Sequence, residues 1–113
     1  MSNSTPFKGC TFTRISGSAS VVHPVSYGVA TTTAASSHCK GNGHIVRLIV
    51  TDTTSAGSGT VAWFEADGST TLLNTFNNLS GGDEIEMTMD IENGFSFQCG
   101  GGADVIVVYA VFS

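Results

Sequence analysis

From Glu84 to Glu92 the chain alternates without a break. Ile85, Met87, Met89 and Ile91 take one parity, and Glu84, Glu86, Thr88, Asp90 and Glu92 take the other. A period of two belongs to a strand with one buried face, because successive side chains point to opposite sides of the pleat. Asp104 to Phe112 is apolar in both parities: Val105, Val107, Tyr109 and Val111 on one side, Ile106, Val108, Ala110 and Phe112 on the other. A strand apolar on both faces is covered on both. Burying four such side chains stabilises a fold by roughly 6–12 kcal/mol before entropy. No stretch combines a sustained i, i+3, i+4 apolar pattern with caps. The expectation is an all-β, antiparallel β-sandwich of about seven or eight strands, a jelly roll or a related Greek key.

Residues 1–18 hold Ser, Thr, Gly and Pro without a period. They read as an extended arm ordered by contact with something else, before a sandwich domain over 19–113. Ala19 to Val22 and Val25 to Ala30 are short β-like runs, with Pro24 keeping His23 extended. Thr31 to Gly43 is a polar loop. In the strand His44 to Thr51, Val46, Leu48 and Val50 form a clean apolar face, while Ile45, Arg47 and Ile49 form a mixed one. Trp63 and Phe64 are adjacent in the strand Thr60 to Ala66, so at most one of them points into the core. Asp67-Gly68 signals a hairpin to Ser69–Phe76.

The C-terminal stretch reads as three consecutive paired strands. A three-residue loop Glu92-Asn93-Gly94, with Gly94 left-handed, places Ile91 opposite Phe95 and Met89 opposite Phe97 on one apolar face. Gly100 to Gly102 makes the second reversal. The structural turns are therefore Gly68 and Gly94. The candidate surface for the arm or a neighbouring subunit is Val105, Ile106, Val107, Val108, Tyr109 and Phe112, together with Trp63. One parity of the last strand is core, and the other is the packing face.

Composition narrows the function classes. The 113 residues suit one domain, and only 12% are charged, against about 25% in ordinary soluble domains. A surface wetted by Ser, Thr, Asn and Gly is suited to packing on other protein. Net charge is −5, with Lys8, Lys40, Arg14 and Arg47 as the bases, so no nucleic-acid partner is expected. No apolar run reaches the 18 or so residues of a membrane helix, and the N-terminus lacks a secretory h-region, so no membrane partner or secretion is expected. Cys10, Cys39 and Cys99 make an odd count and read as reduced thiols.

Sites for chemistry are weak. His38, Cys39 and His44 are of zinc-ligating type, but their spacing matches no established zinc motif. The carboxylates of 83–92 fan out along a strand, which suits solvation better than one calcium ion. No nucleophile elbow, phosphate loop or zincin motif occurs. No metal, no cofactor and no enzymatic activity are expected. Trp63 and Tyr109 are the aromatic candidates for stacking on a glycan, with burial in the core the favoured alternative.

The C-terminal segment SGGDEIEMTMDIENGFSFQCGGGADVIVVYAV resembles the last part of small β-sandwich virion proteins of tailed bacteriophages. The likeness rests on Gly82-Asp83, the alternating Ile85 to Ile91, Asn93-Gly94-Phe95, and Val105 to Tyr109. It extends over roughly residues 44–112, with short motifs. It implies a capsid decoration or cement protein bound to neighbouring capsid subunits, assembled in the host cytoplasm into a virion. Closed cyclic symmetry, a homodimer or homotrimer, is expected. The alternatives are a tail or fibre part, or a glycan- or receptor-binding module.

Overall fold

The structure is a computed structural model and describes residues 10–16, 20–32 and 41–111, with the side chain of Val111 left aside. Among them nine strands form: β1 Thr11–Ser16, β2 Val21–Val22, β3 Gly28–Val29, β4 Gly43–Asp52, β5 Gly59–Phe64, β6 Thr71–Leu79, β7 Glu84–Ile91, β8 Ser96–Gly100 and β9 Asp104–Val111. They make two sheets, A in the order β3-β1-β9-β4-β7 and B in the order β2-β8-β5-β6. All pairings are antiparallel except β1 with β3. With the two-residue β3 set aside, 1-9-4-7 facing 2-8-5-6 is the jelly-roll order, so the expected sandwich is present. The strand count exceeds the expected range because β1, inside the expected arm, joins the sheet. Thr11–Ser16, within the stretch read as an arm, pairs along β9 from Thr11↔Tyr109 to Ser16↔Asp104. Residues 1–9 and Phe112 lie outside the described residues.

The interior is aromatic. Trp63 and Phe97 are cross-strand partners in sheet B with ring centroids 5.9 Å apart, and Phe95 meets Tyr109 of sheet A edge-on at 5.2 Å. Val61, Ile45, Leu48, Val50, Val105 and Val107 complete the contact between the sheets, all essentially inaccessible to solvent. Trp63 points inward and Phe64 outward, as adjacent residues on a strand must.

Two expectations fail, each for a local reason. The clean apolar face of β4 is its core face at Leu48 and Val50 but not at Val46, where Ile45 is buried instead. Ile45, Leu48 and Val50 are buried, while Val46, Arg47 and Ile49 are half-exposed. The register slips between Ile45 and Arg47, so Ile45↔Tyr109 is followed by Arg47↔Val108. That extra residue is a β-bulge, and it inverts the alternation upstream of it. On the other side of β4, β7 carries an extra residue in turn, where Thr88 has φ of 45°.

The C-terminal stretch is not a run of paired neighbours either. β7 pairs with β4 in sheet A, β8 pairs with β5 and β2 in sheet B, and β9 returns to the middle of sheet A. Gly94 is left-handed as expected, with φ of 70°. However, its N–H donates to the Gly41 carbonyl at 2.9 Å, and the Asn93 carbonyl accepts from Ala66 N–H at 3.1 Å. These bonds tie the link to two other loops and carry it from one sheet to the other. Phe95 and Phe97 therefore lie across the interior from sheet A rather than beside Ile91 and Met89. By contrast the Asp67-Gly68 signal does mark the β5–β6 hairpin. Gly68 has φ of 76°, and Asp67 accepts from the N–H groups of Ser69 and Thr70, each at 2.8 Å.

Candidate functional site

β9 lies between β1 and β4, so its inner side chains are core on all sides. Val105, Val107 and Tyr109 face the interior and are buried, and so is Trp63, at 1% exposure. These members of the predicted surface are unavailable to a partner, and neither Trp63 nor Tyr109 can stack on a sugar. The other parity, Ile106, Val108 and Ala110, is half-buried and faces outward.

Cross-strand pairing shows what surrounds that outward parity. One row of side chains on the outer face runs Val29–Arg14–Ile106–Ile49–Glu84, from the β3 edge to the β7 edge. The next runs Phe12–Val108–Arg47–Glu86, and the third Ala110–His44–Asp90. The bulge adds Val46 to the same face. An apolar field thus occupies the middle, Arg14 stands on one flank, and every row ends in a carboxylate on β7. Shallow grooves open on it: one of about 190 Å³ between Val46, Arg47, Ile49 and Val108, and one of about 380 Å³ whose lining includes Arg14, Val29, Asp104 and Ile106. Among the described residues no strand packs over this face.

Its electrostatics are asymmetric. Arg47 is held by Glu84 at 3.6 Å and Glu86 at 3.3 Å, and His44 Nδ1 lies 2.8 Å from Asp90 Oδ1. Such exposed pairs contribute little stability, but they orient the charges. Arg14 is exposed and makes no ion pair among the described residues. Beyond it the β3 edge presents the large apolar side chains Tyr27, 66% exposed, and Val29, 57% exposed. Tyr27 holds φ of 57°, packs edge-on against Phe12 with centroids 5.5 Å apart, and donates its hydroxyl to the Cys10 carbonyl at 3.0 Å. Ile49 was expected on a half-exposed face of its strand, whereas Phe12, Val29 and Val46 were not expected on this face. Phe12 lay in the presumed arm, and the bulge reversed the parity of Val46.

The thiols differ. Cys10, at the start of β1, is partly accessible, whereas Cys99 is buried on the inner side of β8. Burial, with the Asp104 carboxylate adding to it, pushes the Cys99 thiol up to about 12. Cys39 and His38 lie outside the described residues. Among the described ones no group of three or more His, Cys, Asp or Glu side chains is placed to hold a metal ion, and no helix is long and apolar enough to cross a membrane.

No protein-family model matches the chain, and no curated protein matches it. Among solved structures it is similar to a protein of Bacillus endospore appendages, which form a family of disulfide-linked pili. The TM-score is 0.50 at 13% identity, over 92% of this chain and 86% of that one. The likeness is one of fold.

Proposed function

We propose that the chain is a non-enzymatic structural subunit of an ordered protein assembly, and that the outer face of sheet A is where a neighbouring protein packs. The carrying observation is the field of Phe12, Val46, Ile49, Ile106 and Val108. It crosses β1, β9 and β4, is interrupted only by Arg47 among these rows, and its side chains are partly exposed. Contiguous apolar surface of this kind marks interaction sites. The low charge of the chain and its likeness in fold to a pilus protein support the same reading.

Two narrower forms follow. As a capsid decoration protein, the form its C-terminal motifs suggest, the subunit lays this face on capsid neighbours and resides in a virion. As a subunit of a self-built fibre, it lays the face on another copy. The pilus likeness favours the second form and adds a covalent element, with Cys10 as the partly accessible thiol among the described residues for a disulfide between subunits. The glycan-binding alternative loses Trp63 and Tyr109 to the core, and Tyr27 is the large aromatic it keeps at the surface among the described residues.

The test is electron microscopy and non-reducing electrophoresis of the purified chain over rising concentration. The fibre form gives ordered oligomers, with thiol-sensitive bands that Cys10→Ser removes. The decoration form gives small oligomers that attach to a capsid lattice. A strict monomer with no affinity for any protein lattice contradicts the proposal.

A further inference from the structure

The charge layout of sheet A selects both the partner and the geometry for its outer face. We infer that the face pairs with the same face of a second copy, about a two-fold axis that runs parallel to the strands and passes over β9. The inference rests on the assembly reading above and adds to it a partner and an orientation.

Face-to-face sheets stack about 10 Å apart with their strands aligned to within about 30°. For two identical sheets this leaves two kinds of two-fold axis in the contact plane. An axis across the strands lays β7 on β7 of the second copy. Glu84, Glu86 and Asp90, all exposed carboxylates on one edge strand, then face the same set on the second copy. Like charges so placed oppose association. An axis along the strands instead turns the second copy so that its β7 edge lies over the β1 and β3 flank. Arg14, the cation on that flank without an ion pair among the described residues, then approaches Glu84 of the second copy. The symmetry makes the same contact twice. At the centre, Ile106 and Val108 meet their images over β9; Ile49 lies opposite Arg14, whose long side chain reaches past it toward Glu84, itself opposite Val29. One operation thus joins the middle of the face to itself and brings the flank cation near the β7 carboxylates.

Sedimentation equilibrium of four forms tests this: wild type, Arg14→Glu, Glu84→Arg and the double variant. Arg14 and Glu84 are both exposed, so circular-dichroism melts should show every form folded. The wild type is expected to dimerise. Arg14→Glu should weaken the dimer by at least about tenfold, and so should Glu84→Arg. The double variant, which exchanges the two charges across the same contact, should recover to within about threefold of wild type. An associating wild type whose dimer ignores Arg14→Glu, or a double variant no better than the singles, overturns this geometry while leaving the assembly reading intact. A wild type that stays monomeric removes this pairing, and removes the assembly reading as well if it also binds no protein lattice.

Discussion

Gly101 sits where no side chain fits. Its φ is 66°, and an added Cβ would overlap the Ser58 carbonyl. The link between β8 and β9 has to approach this closely because Thr54 N–H donates to the Gly101 carbonyl at 3.1 Å and Ser58 Oγ donates to the same oxygen at 3.2 Å. Gly101→Ala should therefore lower stability by more than about 2 kcal/mol, read as a fall in melting temperature. The thiols give a second residue-scale prediction. Peptide-level mass spectrometry after brief alkylation of the native protein should find Cys10 modified and Cys99 protected, with Cys99 reacting once denaturant is added. His23 gives a third. It is buried, and desolvation lowers its pKa below the ordinary value near 6.5. The unfolded chain then takes up the proton first. The stability due to neutral His23 is complete above about pH 6.5 and is lost as pH falls from there toward the folded-state pKa. The wild-type melting temperature should drop between pH 7.5 and 5, and His23→Asn should reduce the drop attributable to this group.

At the scale of elements, β4 decides which side chains face out. A strand without the bulge would bury Val46 and expose Ile45. The observed one does the reverse, so Ile45→Ala should cost about 2–4 kcal/mol and Val46→Ala less than about 1 kcal/mol. Equal costs would place the register elsewhere. Period-two alternation made β7 and β9 legible in the sequence, and Asp67-Gly68 made the β5–β6 hairpin legible. Each of these depends on neighbours within a few residues. The bulge does not: it is enforced by β9 on one side and β7 on the other, and both lie far along the chain. The crossing after β7 has the same origin. Asn93-Gly94 carries the chemistry of a tight turn, but the partners of its backbone groups are Gly41 and Ala66, which local pattern cannot supply. Of the candidate face, Ile106 and Val108 were readable as one parity of a doubly apolar strand. Phe12, Val29 and Val46 were not, because their place depends on which strands flank β9.

At the scale of the molecule, a chain with only 12% charged residues carries Glu84, Glu86 and Asp90 along one edge strand and a largely apolar field in the middle of the same sheet. A subunit built this way keeps its β7 edge unattractive to its own image and concentrates its apolar surface on a single face. On this reading the face holds subunits together while contributing little to the fold of each. Val108 is the position to ask, since it lies in the centre of the face on the middle strand, half-buried and outward. The direct measurement is sedimentation velocity of wild type and Val108→Asp at equal concentration, with a thermal melt of each. Association by the wild type, and a monomeric Val108→Asp that still melts cooperatively, is the predicted result. A variant that associates as the wild type does, or a wild type that never associates, would contradict the claim.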